Sequence, residues 1–248
     1  METKVDVIMG GGIYHANSIC DAYSGNFPGV TDGRQYIIDQ AQGTYDYSFV
    51  SDKSELEAIA PSLGKRGTVA KVLGMFEQNG IGGGKTPEMF RVDATETYPE
   101  GEPTLAEMTD AALDILEHDR NGMFLMIEGS QVDWEDHAQD VKGQIAESLG
   151  FDEAVKVVLD WINASQRRKE QTLLIVVADH ETGGFAVNGP YGSLSKAGDI
   201  VEEGWTSGNH TAVDTIIYSQ GPGSEKLSGA MDNTDLFYVM KDVLKKTR

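Results

Sequence analysis

The amino-acid sequence predicts an α/β protein with a mostly parallel central sheet flanked by helices on both faces. Two short runs, residues 123–127 and 172–178, are apolar almost throughout rather than alternating, which is typical of strands buried on both faces. Strand-like and helix-like segments alternate along the chain. Carboxylate and imidazole side chains follow both apolar runs, at the carboxyl ends of strands where such sheets place their functional sites.

The elements before the first apolar run are short. Strands are predicted at residues 5–9, 47–50 and 69–77. Gly10, Gly11 and Gly12 follow the first strand and begin a long segment rich in polar residues and glycine, which we expect to be irregular. A short helix is expected to open at residues 52–56, with Ser51 or Asp52 as its N-cap.

Helical periodicity dominates the rest of the chain. Apolar residues at helical spacing predict a helix from Pro103 to about His118, leading into the first apolar run. A second apolar stripe, over residues 145–162, predicts a helix that breaks near Gly150. Beyond the second apolar run we expect a strand at residues 212–218 and then a closing helix, for which Asp232-Asn233-Thr234-Asp235 is the cap.

Composition favours one globular domain over residues 1–248 and excludes several classes of partner. The net charge of −20 argues against nucleic acid or an anionic membrane surface, since both require a basic protein surface. No apolar run approaches the roughly 18–20 residues of a membrane span, and the first residues lack the order of a signal peptide. Cys20 is the single cysteine, so no internal disulfide is expected.

The first apolar run ends on a set of residues that could bind metal. Glu128 stands at its tip, and Asp133 and His137 follow at the start of a predicted helix. Side chains four positions apart on a helix lie about 5–6 Å from each other. A carboxylate with an imidazole suits Zn²⁺, with an adjacent hard cation such as Mg²⁺. The alternative is ordinary: acidic residues at a helix start complement its dipole, and a lone histidine is usually structural.

Two further elements strengthen the metal hypothesis. Asp179 and His180 directly follow the second apolar run, and Thr182-Gly183-Gly184 allows the backbone to turn so that both side chains reach one ion. His210 lies in a polar loop just before a strand. Each element alone has an explanation that needs no metal. An aspartate can cap a turn, and a loop histidine is usually exposed to solvent. Two buried strands that both end in carboxylate and imidazole groups are harder to explain without a metal.

The order and spacing of these motifs resemble the alkaline phosphatase family. The matching elements are Glu128-Gly129-x-x-x-Asp133-x-x-x-His137, Ala178-Asp179-His180, His210-Thr211 and Asp232-x-Thr234-Asp235-Leu236-Phe237-Tyr238-x-Met240. Weaker similarity extends upstream through residues 5–12, 73–77 and 108–113, so that nearly the whole chain is covered. The first element is far more discriminating than the Asp-His pair, which sulfatases and metal-dependent phosphoglycerate mutases share.

The resemblance implies a function and a set of ligands. Asp133, His137 and His210 would hold one zinc ion, Asp179 and His180 would hold part of a second, and Glu128 would bind magnesium. The reaction implied is metal-dependent hydrolysis of phosphate monoesters. The resemblance further implies a periplasmic or secreted protein and a homodimer.

Trp134 has two interpretations. The resemblance places it near the phosphate, at a position that varies between Lys, His and Trp. The alternative is an aromatic residue at a helix start that packs on the surface.

The sequence departs from the family pattern in one respect. No Asp-Ser pair occurs, so the serine nucleophile of the family's Asp-Ser-Ala element is missing. We therefore expect the chain to represent the C-terminal portion of an alkaline phosphatase, with a fold incomplete on its N-terminal side and weak or no activity alone.

The alternative is a non-catalytic metal- or phosphate-binding protein of the same fold. An in-frame Asp-Ser-Ala element in the DNA upstream of Met1 would favour the first, and a genuine start site there would favour the second.

A sheet that lacks strands leaves backbone edges and apolar faces uncovered. We therefore expect the purified 248-residue chain to be marginally stable or to associate. Sedimentation velocity and thermal unfolding over a range of protein concentrations would show this, and a sharp monomeric species with a high melting temperature would contradict it.

Overall fold

The computed structural model describes residues 5–11, 30, 32–63, 69–76, 101–189, 192–200 and 202–246. By its internal contacts the chain divides into two compact units, Met1–Phe90 with Ala94–Ile127 and Arg91–Asp93 with Glu128–Arg248. The expectation of a single domain stays a prediction. Cys20, and with it the expected absence of a disulfide, lies outside the described residues. Within the described ranges, none of the helices combines the length and the hydropathy needed to cross a membrane.

A parallel three-stranded sheet forms the centre of the first unit. Its strands are β1 (Val7–Gly10), β2 (Tyr47–Val50) and β3 (Lys71–Met75), in the order β1-β3-β2. Val72 of β3 is opposite Val7 on one side and Ser48 on the other. With the helices around it, this sheet confirms the predicted α/β class and its parallel strands, and β2 has the bounds that the sequence predicts.

The described residues of the first unit form three helices: α1 (Gly33–Tyr45), α2 (Lys53–Leu63) and α3 (Leu105–Leu116). The expectation of irregular chain is wrong for α1. Asp32 caps this helix by accepting a hydrogen bond from the Gln35 backbone N–H at 2.9 Å. Only Gly33 and Ala41 are buried in it, so the helix carries no broad apolar stripe by which its periodicity could be detected.

The core of the first unit lies between its sheet and helices. Among the described residues of this unit, the apolar side chains that are at most 2% exposed are Val50, Leu56, Val72, Phe76 and Ile115. The ring of Phe76 lies against Gly74, where an added Cβ would come within 2.8 Å of a ring carbon. A glycine in this strand therefore permits the close approach of an aromatic side chain.

Helices make up much of the second unit: α4 (Gln131–Ala138), α5 (Val141–Asn163), α6 (Gln166–Gln171) and α7 (Asn233–Lys246). The expected break near Gly150 is wrong, because α5 continues through it. Gly143 and Gly150 are buried, and a Cβ on Gly143 would collide with the carboxylate of Glu135 in α4. At Gly143 the missing side chain thus lets α4 pack closely on α5 rather than ending the helix.

Where the second unit is described, its strands pair in three antiparallel ladders. These are β4 (Leu174–Val177) with β9 (Ile217–Gln220), β5 (Glu181–Thr182) with β8 (His210–Thr211), and β6 (Ala186–Asn188) with β7 (Glu202–Gly204). The second apolar run therefore differs from the expected parallel strand buried on both faces, since Val177 is 36% exposed. The strand expected at 212–218 is shifted towards the C-terminus as β9.

The first apolar run is the clearest departure from the sequence prediction. Residues 123–127 form no strand ladder within the part of the chain that is described. Phe124 and Met126 are 62% and 76% exposed, and they alternate with half-buried neighbours. The segment thus keeps the period-two burial of a strand but lacks the hydrogen-bonded neighbour that defines one.

A reciprocal cap fixes the start of α3. Thr104 Oγ1 accepts a hydrogen bond from the Glu107 backbone N–H at 3.2 Å, and Glu107 Oε2 accepts one from the Thr104 N–H at 3.0 Å. Lys53 Nζ donates to Glu107 Oε1 at 2.5 Å. Burial raises the pKa of Glu107, but the hydrogen bonds from Lys53 and Thr104 outweigh it and hold this pKa below its ordinary value.

Because the folded state lowers the pKa of Glu107, its contribution to stability is present above the ordinary value of 4.5 and is lost as pH falls through the lowered pKa. Glu107→Gln should lower the free energy of unfolding by about 0.3–1.5 kcal/mol near neutral pH. This difference should shrink as pH falls from about 6 to about 3, as followed by urea unfolding. The control is Glu57→Gln, which alters an exposed carboxylate 3.9 Å from the same Lys53 Nζ and should follow the wild type. A pH-independent cost of Glu107→Gln would contradict the assignment.

Candidate metal centre

Three predicted ligands converge in the second unit. Asp133 and His137 lie in the first and last turns of α4, and His210 begins β8. Asp133 Oδ1 is 3.5 Å from His137 Nε2 and 3.3 Å from His210 Nε2. The two imidazole Nε2 atoms are 3.2 Å apart. One atom from each residue therefore points to a common centre, as a metal-binding group requires.

The size of this triangle is compatible with a bound zinc ion. Zinc with nitrogen and oxygen ligands forms bonds of about 2.0–2.2 Å, and a regular tetrahedron with such bonds places its ligand atoms about 3.3–3.6 Å apart. The three separations, 3.2, 3.3 and 3.5 Å, agree with this edge length. The residues present therefore fit a zinc ion with a fourth position open for water or substrate.

A backbone carbonyl selects the tautomer of His137 that can bind metal. His137 Nδ1 lies 2.8 Å from the carbonyl oxygen of Gly208. A carbonyl oxygen only accepts hydrogen bonds, so Nδ1 is the protonated nitrogen and donates. Nε2 therefore presents its lone pair towards Asp133 and His210, in the arrangement common to histidine ligands of metals.

The second predicted pair lies beside the first group. The His180 ring stacks on the His210 ring with centroids 3.6 Å apart. His180 Nε2 is 3.2 Å from Asp179 Oδ2, again close to the edge of a zinc tetrahedron. The Asp179 side chain is 89% exposed, so it remains open to further ligands.

Glu128 and Trp134 are not brought into this group. Glu128 is exposed and is absent from the metal-binding group found among the described residues. The Trp134 side chain is 60% exposed on α4. The magnesium role of Glu128 and the phosphate-side role of Trp134 both stay predictions.

Two residues that the sequence did not single out support the ligands. The Thr182 hydroxyl donates to Asp133 Oδ1 at 2.5 Å, and Thr182 is only 5% exposed. Asp136 lies beside the group with a buried Oδ1 that has no hydrogen-bond partner among the described residues. Burial raises the pKa of Asp136 to about 6, and repulsion from Glu181 and Asp133 adds to the rise. This concentration of carboxylates favours a cation at the centre.

A glycine turn after β5 brings His210 to the group. Gly183 has φ +85° and Gly184 has φ +57°. The Gly183 N–H donates to the Asn209 carbonyl at 3.0 Å, and the Gly183 carbonyl accepts from the Thr206 and Ser207 N–H groups at 3.0 and 3.1 Å. These bonds anchor residues 206–209, which lead directly into His210.

The chain is similar to known proteins over most of its length. The family model described as alkaline phosphatase matches residues 1–198 and 194–246. Alkaline phosphatase 3 of Bacillus subtilis (strain 168) is 25% identical over 308 residues, which cover 98% of this chain and 58% of that protein. Alkaline phosphatase of Escherichia coli (strain K12) is 30% identical over 271 residues, with coverages of 98% and 53%.

The fold has solved counterparts. The structure of alkaline phosphatase from the Antarctic bacterium TAB5 is 25% identical and superposes with a TM-score of 0.64, covering 97% of this chain and 61% of that one. The chain thus spans between 53% and 61% of the length of these three similar proteins.

Gly183→Ala should destabilise the turn for two reasons, the positive φ and a Cβ placed 2.7 Å from the Trp205 ring. The expected loss in free energy of unfolding is about 1–3 kcal/mol. Gly192→Ala is the matched control, because Gly192 has φ +80° but nothing lies within 4 Å of an added Cβ. Urea unfolding should show a larger loss for Gly183→Ala, and equal losses would contradict the role of the Trp205 contact.

Proposed function

The chain belongs to the alkaline phosphatase family, and from this premise we propose that its second unit supplies metal ligands for the hydrolysis of phosphate monoesters. The observation that carries the proposal is the triangle of Asp133 Oδ1, His137 Nε2 and His210 Nε2, with sides of 3.2–3.5 Å. A purely structural cluster has no need to bring three possible ligand atoms within 3.5 Å of one another.

The proposal assigns each ligand to an ion. Asp133, His137 and His210 hold the first zinc. Asp179 and His180 hold part of the second, supported by the 3.2 Å separation of their ligand atoms. Glu128 is assigned to magnesium on the family pattern alone. When bound, the two zinc ions would supply Lewis acidity to an in-line displacement at phosphorus.

The chain's own residues orient the ligand atoms and supply negative charge for the ions. The Gly208 carbonyl accepts the Nδ1 proton of His137, so that the lone pair of the neutral ring lies on Nε2. The carboxylates of Asp133, Asp136 and Asp179 offset the charge of the ions, which suits binding of dications. No Asp-Ser pair occurs among the 248 residues, so we assign no nucleophile to them.

The setting of the protein is proposed from the family as well. A periplasmic or secreted protein that forms a homodimer and takes small phosphate monoesters as substrates is consistent with the net charge of −20. An acidic surface repels phosphate at long range, and positive ions at the centre attract it at short range.

Zinc binding tests the proposal. Metal-free protein titrated with Zn²⁺ in a calorimeter should bind it stoichiometrically, and elemental analysis of the loaded protein should agree. His210→Ala should abolish the tight site, since it removes one of three ligands. His118→Ala is the matched control, because His118 lies outside the ligand group just beyond α3 and should leave binding unchanged.

Absence of stoichiometric zinc in the wild type, or equal binding by His210→Ala, would overturn the metal assignment. Turnover of an aryl phosphate by the zinc-loaded chain is expected to be weak. Rapid turnover that is lost with a chelator would support the hydrolysis and would place the nucleophile within these residues.

A further inference from the structure

Thr182 connects the group of three ligands to the Asp179–His180 pair. It lies on β5 directly opposite His210 on β8, and it is buried. We propose that its hydroxyl is a positioning group shared by both metal sites, which donates to Asp133 of the first and accepts from His180 of the second. This inference rests on the proposed function for its metals, but the hydrogen bonds can be tested without them.

The count of protons determines the direction of both hydrogen bonds. The hydroxyl has one proton. Thr182 Oγ1 lies 2.5 Å from Asp133 Oδ1 and 3.3 Å from His180 Nδ1. A carboxylate oxygen only accepts, and two bare oxygen atoms would repel at 2.5 Å, so the proton lies between Thr182 and Asp133.

The tautomer of His180 follows from this assignment. With its own proton directed at Asp133, the hydroxyl oxygen is free to accept from His180, and this hydrogen bond forms when Nδ1 carries the ring proton. Neutral His180 therefore has its lone pair on Nε2, the atom 3.2 Å from Asp179 Oδ2. The same hydroxyl thus orients a carboxylate for one ion and leaves a ring nitrogen free for the other.

A simpler account of Thr182 is that a β-branched residue packs well in a buried strand. That account requires the methyl group and the branched shape but not the hydroxyl. Thr182→Val keeps the shape and removes the hydroxyl, whereas Thr182→Ser keeps the hydroxyl and removes the methyl. The two variants therefore separate a positioning role from packing.

The first measurement uses metal-free protein. Long-range ¹H–¹⁵N correlation spectra, recorded about two pH units above the ordinary histidine pKa, report which nitrogen of His180 carries the proton. Wild type and Thr182→Ser should show Nδ1–H. Thr182→Val should shift His180 towards Nε2–H, which Asp179 can accept.

The second measurement is zinc affinity by calorimetry. Thr182→Val should bind zinc about 10–100-fold more weakly, and Thr182→Ser should stay near the wild type. Thr109→Val is the matched control, because it also removes a buried hydroxyl, one that donates to the Leu105 carbonyl at 2.8 Å. It should change neither the His180 tautomer nor the affinity.

The outcomes distinguish a failure of this inference from a failure of the proposed function. An unchanged tautomer and affinity in Thr182→Val, with zinc bound by the wild type, would overturn the positioning role and leave the metal centre intact. Equal losses in Thr182→Ser and Thr182→Val would assign the effect to packing and would also overturn it. The predicted tautomer change in a protein that binds no zinc would support the shared hydroxyl and overturn the metal centre instead.

Discussion

The candidate metal centre of the second unit depends on the close approach of electron-rich ligand atoms that the fold holds together. Asp133 Oδ1 lies within 3.5 Å of two imidazole Nε2 atoms and accepts a hydrogen bond from the Thr182 hydroxyl at 2.5 Å. In the described part of the chain, the ion pairs of Asp133 are with His137 and His210 alone, and no lysine or arginine neutralises it. Asp136 adds a further carboxylate, whose pKa of about 6 reflects burial and its acidic neighbours. Such an arrangement is costly without a cation and favourable with one.

Short elements hold these atoms in place. Asp133 and His137 are both held by α4, a helix of two turns. This helix packs on α5, where Gly143 has no side chain to collide with Glu135. His210 needs the two-residue ladder of β5 and β8 and the turn at Gly183. Backbone atoms complete the arrangement, since the Gly208 carbonyl fixes His137. The positions of the ligand atoms are thus fixed by local hydrogen bonds, in elements that bury few of their own side chains.

Sequence reasoning identified the candidate ligands because their signal is chemical and local. The spacing of Asp133 and His137, and the adjacency of Asp179 and His180, follow from helix and strand geometry, and the family suggested by these motifs is confirmed. The β2 strand and the α3 helix were predictable from equally local patterns. Thr182 was not, because only the β5–β8 pairing reveals what its hydroxyl contacts.

Long-range pairing explains most of the errors as well. Residues 123–127 are apolar enough for a buried strand, yet whether they form one depends on a neighbour that periodicity cannot supply. The antiparallel pairing of β4 with β9 could not be predicted from periodicity for the same reason. The α1 helix was missed for the opposite reason, since a mostly exposed helix has no apolar stripe.

The separation of the ligands along the chain has a consequence for the unfolded state. An ion bound by both Asp133 and His210 ties residues that are distant in sequence, as a disulfide would, in a chain with one cysteine. Closing a loop of that length removes conformational entropy worth about 4–5 kcal/mol on the chain-entropy account. The metal would then act as a removable cross-link, which encloses α5, α6 and β4 to β7 within one loop and ties their resistance to unfolding to the supply of zinc.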